Sequence, residues 1–372
     1  MRVFGAPHKY IQGSDVLNRA GELLSPQGDR FFILGDEFVL SLIGDRIARS
    51  LTEAKKTAII ETFGGECCYS EINRLKAAAG ENQADVIIGA GGGKAADTAK
   101  ALNIELRLPV VVIPTVASTD APTSHLAVVY DENHVKQGVL RMDAGPSMVL
   151  VDTGIIACAP VRTLVAGMGD ALSSKFEAEA CWESGAKNMF GGKPCQAALA
   201  LAQLSYDIIR ENGDAAKEAA ENQSVTPALE SVIEANILLS GLGFESGGLA
   251  TIHALHGGFT LIEEMDPMLH GEKVAFATLV QLALEKREKD FIVDMIDFYI
   301  RLGLPTSLGD LGMQKIDMGK LEQAIDNTCR PGSYIHNMPF KIEPQAVMDS
   351  VLKIDALSGA RNALSGVTGQ II

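Results

Sequence analysis

None of the six cysteines in this 372-residue chain forms a Cys-x-x-Cys pair; they are scattered at positions 67, 68, 158, 181, 195 and 329. Neighbours such as Cys67 and Cys68 seldom bridge each other, so no disulfide framework is legible. A reduced, cytoplasmic protein is the simplest expectation. Positive charge is also short: 32 Lys and Arg face 47 Asp and Glu, a net charge of −15. A nucleic acid would be repelled, and none is expected as a partner. No apolar run reaches the roughly 18 residues that a membrane span needs, so no membrane is expected either. The stretch from Met1 to Pro7 lacks the long apolar core of a signal peptide.

Hydrophobic residues are plentiful, at 47%, and the length suits two domains with a sizeable core. The first third alternates short apolar runs with helical periodicity. Phe31 to Leu34, Thr57 to Glu61, Val86 to Ile88, Val110 to Ile113 and Ser147 to Val151 are strand candidates. Glu37 to Leu51 and Tyr69 to Ala79 are helix candidates between them. That alternation predicts a parallel sheet with helices on both faces. Leu126 to Tyr130 and Val135 to Leu140, around Asp131-Glu132-Asn133, predict a β-hairpin. From about Pro160 strand patterns vanish. Helices are expected over 170–183, 195–212, 227–239, 253–264, 272–288, 291–302, 318–327 and 344–357. A domain boundary near residue 160, without a long linker, implies a shared cleft.

The chain turns on Val86-Ile87-Ile88-Gly89-Ala90-Gly91-Gly92-Gly93-Lys94 and the alanine-rich stretch after it. Strand, glycine turn and helix together present free backbone N–H groups and a positive helix end to a phosphate. Glycine permits close approach of a ligand to the backbone. Lys94 adds a point charge, and Asp97 is expected in the first helical turn. The spacing is neither Gly-x-Gly-x-x-Gly nor a P-loop. A tight turn without a ligand is the alternative. Ligands of such sheets bind at the carboxyl ends of the strands, where Asp36, Gly91 to Gly93 and Thr115 fall.

Three of the seven histidines lie between residues 253 and 270. His253 and His256 are three apart and share a helix face. His270 precedes the next helical pattern, so two helices can aim His253 and His270 at one point. Asp170 follows Gly167-Met168-Gly169, which reads as the opening of a helix. One Asp and two His suit a divalent cation with a position left open for substrate. The alternatives are core or surface histidines and an N-cap aspartate. Ser118-Thr119-Asp120 has no nearby base for serine chemistry. Glu263 and Glu264 read as solvated carboxylates, and Cys67 and Cys68 as inert thiols.

Several pieces resemble the glycerol dehydrogenases. They are Phe4-Gly5-Ala6-Pro7, Tyr10-Ile11-Gln12-Gly13, Gly91-Gly92-Gly93-Lys94 with Asp97-Thr98-Ala99-Lys100, Pro114-Thr115 with Ser118 to Pro122, Gly167 to Leu172, His253-Ala254-Leu255-His256-Gly257, and His270 to Phe276. That family sits within the iron-type, metal-dependent alcohol dehydrogenase superfamily. The resemblance spans nearly the whole chain. It implies a dehydroquinate-synthase-like architecture: a Rossmann-like α/β domain over 1–160 binding NAD, and an all-helical domain over 161–372, with zinc in the cleft. It assigns Asp170, His253 and His270 to the metal and to substrate, and Asp120 to the polyol. Asp36 would meet the adenine-side ribose. Gly92, Gly93, Lys94, Ala95, Ala96 and Asp97 would hold the pyrophosphate. Thr115, Val116, Ala117, Ser118, Ser124, Leu126 and Tyr130 would line the rest of the cofactor site. His256 would touch substrate or relay a proton, and Phe244 would form an apolar wall or part of the core.

One superfamily feature departs. Iron-type members carry a histidine four residues after the aspartate, where this chain has Ser174. Three ligands favour zinc over iron. The implied reaction is reversible oxidation of glycerol to dihydroxyacetone, in a cytoplasmic homo-oligomer, an octamer or a smaller unit of it. The competing readings are a glycerol-1-phosphate dehydrogenase or another polyol dehydrogenase, a dehydroquinate-synthase-like lyase, and a silent NAD- or metal-binding protein. The phosphate substrate needs a basic cluster by the metal, where Lys273 is the candidate at hand.

Overall fold

The computed structural model describes residues 1–132 and 135–365. Its N-terminal α/β domain carries six parallel strands in the order β1-β8-β5-β4-β2-β3. They are β1 (Tyr10–Gly13), β2 (Arg30–Gly35), β3 (Thr57–Thr62), β4 (Val86–Gly91), β5 (Val110–Pro114) and β8 (Met148–Asp152). A separate antiparallel hairpin pairs β6 (Leu126–Tyr130) with β7 (Lys136–Arg141). Asn133, in the expected hairpin turn, lies outside the described residues.

Successive side chains of a strand point to opposite faces, and here both faces are covered. Phe31, Ile33, Val86 and Ile88 enter one core, and Phe32, Leu34 and Ile87 enter the other. This is why the central strands read as unbroken apolar runs rather than as alternating ones. Strand β1 went unread as a strand in the sequence. It is an edge strand of four half-buried residues, paired on one side with β8. The predicted helix over 37–51 is broken by a π turn at Leu40–Gly44, between Glu37–Val39 and Asp45–Glu53.

From Val161 onward the described residues form helices around one large apolar core, which includes Phe176, Ile252, Leu255, Val274, Phe276 and Tyr299. No helix among the described residues is long and apolar enough to cross a membrane. The expected helix start at Gly167-Met168-Gly169-Asp170 is corrected: these residues lie inside the Val161–Ser184 helix. Asp170 is therefore no N-cap.

The glycines serve close helix contact instead. A Cβ on Gly167 would stand 1.9 Å from the Ala117 carbonyl oxygen, and one on Gly271 would stand 1.8 Å from that of Ala166. Gly271 thus lets the start of the His270–Leu284 helix rest on the Val161–Ser184 backbone, one turn before Asp170. Gly271→Ala must push the two backbones apart, at a cost of about 1–3 kcal/mol. Denaturant unfolding is expected to show that loss together with weaker metal uptake. An unchanged midpoint would contradict the contact.

Candidate metal centre and cofactor cleft

The site is built where the carboxyl ends of the strands face the helical region. Three elements bring Asp170, His253 and His270 together: the middle of the Val161–Ser184 helix, the first turn of Thr251–Phe259 and the first residue of His270–Leu284. One candidate ligand atom from each lies within 4.8 Å of the others. Asp170 Oδ1 is 3.1 Å from His270 Nε2 and 3.6 Å from His253 Nε2. The second carboxylate oxygen, Oδ2, is buried without a hydrogen-bond partner. A buried, unsatisfied anionic oxygen beside two imidazole nitrogens is costly unless a cation completes it. The residues present therefore fit a divalent metal.

Burial alone would raise the Asp170 carboxyl, but His270 and His253 outweigh it and hold it well below the usual carboxylate range. Burial pulls His253 down, yet Glu177 and Asp170 bring it well above an ordinary imidazole. Burial, reinforced by His270, pulls His256 well below.

Asp120 approaches the same cluster from the loop after β5. It is nearly buried, and its Oδ2 accepts a 2.7 Å hydrogen bond from Ser240 Oγ. Burial and then the charge of Asp170 push its carboxyl well above the normal range. Phe244 stacks near His253 with ring centroids 6.5 Å apart. His256 is turned sideways, its Nε2 lying 3.0 Å from His270 Nδ1.

On the sheet side, β4 ends at Gly91 with φ +139°, a conformation that glycine alone adopts freely. Thr115 N donates to Gly91 O at 3.2 Å, so the loop after β5 lies against the glycine turn. A Cβ on Gly92 would touch Val116, and one on Gly93 would reach Thr119 and Ala121. Gly93 starts the helix Gly93–Leu106, whose N-terminal N–H groups have no capping side chain. Ala95 and Ala96 are buried against β4 beside Gly89. Asp36 follows β2 and caps the short Glu37–Val39 turn, its Oδ1 accepting from Val39 N at 2.8 Å.

Other expected cofactor residues are tied up within the protein. Asp97 lies in the second helical turn, not the first. One of its oxygens meets the fully buried Lys100 ammonium at 3.2 Å, and the other takes Val128 N at 3.0 Å. Burial still leaves its carboxyl raised. Lys100 also donates to Ala121 O and Leu126 O, at 2.6 and 2.8 Å. Lys94 is paired with Glu66 Oε2 at 2.6 Å and stands over the Tyr130 ring. Burial pushes the Tyr130 phenol up to about 12. Ser124 Oγ donates to Glu245 Oε1 at 2.8 Å, and the His125 backbone N–H donates to the same oxygen. Ala117 is buried, with its carbonyl taken by Asn236 Nδ2 at 3.0 Å, while Ser118 is half-buried on the cleft loop.

Glu177, Ser240, Glu245 and Lys100 were missed as parts of the site. Glu177 follows Asp170 by seven residues, two turns on one helix face, and that spacing was the available signal.

A family model described as iron-containing alcohol dehydrogenase matches residues 7–153. The chain is 46% identical over 357 residues to a glycerol dehydrogenase of Citrobacter freundii, covering 96% of this chain and 98% of that protein. It resembles the crystal structure of a probable glycerol dehydrogenase from Sinorhizobium meliloti 1021, with TM-score 0.91, 43% identity, and coverage of 97% of this chain and 100% of that one. It also resembles the glycerol dehydrogenase structure from Schizosaccharomyces pombe, with TM-score 0.95 at 34% identity, covering 100% of this chain and 94% of that one. The protein thus belongs to the iron-containing alcohol dehydrogenase family and is an oxidoreductase acting on an alcohol.

Proposed function

We propose that the protein oxidises glycerol reversibly to dihydroxyacetone, with NAD as hydride acceptor and zinc as its cation. The carrying observation is the convergence of Asp170, His253 and His270 near the buried Asp120. Likeness to glycerol dehydrogenases over nearly the full length supports the polyol as substrate. When bound, the cation supplies Lewis acidity toward a hydroxyl and the nicotinamide supplies the hydride acceptor.

Asp170, His253 and His270 would hold the cation through one oxygen and two nitrogens. Ser174, one turn after Asp170, donates its hydroxyl to Ala171 O at 2.8 Å and brings no imidazole to the set. A set of three side chains with an open position is the usual pattern of catalytic zinc. Asp120, anchored by Ser240, would accept a hydrogen bond from a glycerol hydroxyl and orient it. Phe244, stacked near His253, would shield that side of the cleft from water.

Gly92 and Gly93, with the bare helix N-terminus, would hold the pyrophosphate through backbone N–H groups. The loop from Thr115 to Ser118 would line the nicotinamide side. Asp36 would accept from ribose hydroxyls and repel a 2′-phosphate. Asp36→Asn keeps an oxygen for Val39 N but removes the charge. It is expected to lower the ratio of kcat/KM for NAD over NADP by about tenfold, near 1.4 kcal/mol. An unchanged ratio would contradict the role.

A phosphorylated polyol needs free cations at the site. Lys273 instead gives its ammonium to Met265 O at 3.1 Å, and burial lowers its pKa. NADH absorbance with glycerol, set beside glycerol 1-phosphate under the same conditions, tests the substrate. Turnover of glycerol alone is expected. Faster turnover of the phosphate ester would replace the reading.

A further inference from the structure

We propose that Glu177 and His256 are positioning residues. They hold the imidazoles of His253 and His270 protonated on Nδ1, so that both Nε2 lone pairs are free for a cation bound beside Asp170. This rests on reading Asp170, His253 and His270 as a cation site.

Glu177 is fully buried. Its Oε1 accepts from Ala250 N at 2.7 Å and from His253 N at 3.0 Å. Its Oε2 lies 2.6 Å from His253 Nδ1. A carboxylate accepting backbone N–H groups has only lone pairs to offer the ring. The proton of that contact therefore sits on Nδ1, and the opposite nitrogen is left toward Asp170. One helix thus supplies the candidate ligand carboxylate and, two turns later, the carboxylate that orients the first imidazole. The two backbone groups belong to the start of the Thr251–Phe259 helix, which has no capping side chain of its own. Glu177 docks that helix and sets its histidine at once.

His270 is held differently. Its Nδ1 is 3.0 Å from His256 Nε2, and its Nε2 is 3.1 Å from Asp170 Oδ1. Two ring nitrogens at that distance share one proton. For His270 Nε2 to face a cation with its lone pair, the shared proton must sit on His270 Nδ1, with His256 Nε2 accepting. His256 follows His253 by three residues, so one turn of helix delivers an imidazole to the cluster and another to its neighbour's far side. Partners of this kind fix the tautomer and ring angle of a metal ligand, and their loss typically weakens metal binding by about 10- to 100-fold.

Glu177→Gln separates positioning from helix docking. The amide oxygen can still accept from Ala250 N and His253 N, but its NH₂ then opposes Nδ1–H. The ring must lose the contact or carry its proton toward the cation. Zinc affinity is read by competition with a chromophoric chelator, without substrate or NAD, beside the melting temperature of the metal-free protein. Glu177→Gln is expected to melt near wild type and to bind zinc about 10- to 100-fold more weakly. His256→Leu is expected to weaken zinc similarly, and His256→Gln, whose amide oxygen can accept from Nδ1–H, to recover part of it. Wild-type zinc affinity in Glu177→Gln would overturn the proposal. If Glu177→Gln does not fold, equal affinities of His256→Leu and His256→Gln would overturn it. Should wild type bind zinc no better than Asp170→Asn, the cation-site reading itself falls and the proposal with it.

Discussion

His253→Ala is expected to purify without zinc and to oxidise glycerol at least about a thousandfold more slowly than wild type. The size follows from the chemistry the cation supplies. Lewis-acid assistance to an alcohol is worth several kcal/mol, and each 1.4 kcal/mol is about a factor of ten in rate. Loss of one nitrogen leaves Asp170 and His270, a pair too sparse for catalytic zinc. It also leaves Glu177 buried opposite a vacated ring. His256→Ala removes a neighbour and no ligand, so it is expected to retain zinc, more weakly held, and part of the rate. Elemental analysis of the two variants, beside His270→Ala, checks this. If His256→Ala loses the metal while His253→Ala keeps it, the ligand assignment is wrong.

Asp120→Asn is the second large effect. The wild-type carboxylate is nearly buried, and Ser240 Oγ satisfies only one of its oxygens. The other is available to a polyol hydroxyl. A cation beside Asp170 would offset the burial and the Asp170 charge that raise this carboxyl, and a hydrogen bond to its charged form contributes about 1.5–3 kcal/mol. An amide of the same shape keeps the Ser240 contact and loses the charge. The expected outcome is a fall of about 10- to 100-fold in kcat/KM for glycerol, with zinc content and NADH affinity kept. Wild-type kcat/KM for glycerol would remove Asp120 from the substrate site, whereas lost zinc would make it part of the metal centre.

The strand, glycine turn and helix at β4 were legible because both faces of that strand are buried and glycine marks a backbone demand. The histidine pair was legible because residues three apart share a helix face. Asp170 was readable as a candidate ligand but misplaced on its helix. Gly167 and Gly169 suggest a helix start, and only the packing of Ala117 and Gly271 against them shows why glycines sit mid-helix. Asp97 was displaced for a similar reason. Its carboxylate answers the buried Lys100, a partner that helical spacing allows but does not demand. Glu177 and Glu245 act on residues 73 to 121 positions away. Such contacts depend on tertiary packing, which local periodicity does not carry.

The central claim is that one cation, held by Asp170, His253 and His270, makes this chain a glycerol-oxidising, NAD-reducing enzyme. The direct test is NADH formation from glycerol by wild-type protein stripped with a chelator, then titrated with zinc. The account predicts almost no rate in the stripped protein and recovery that saturates at one zinc per chain. A stripped protein that oxidises glycerol as fast as the zinc-loaded one would contradict it.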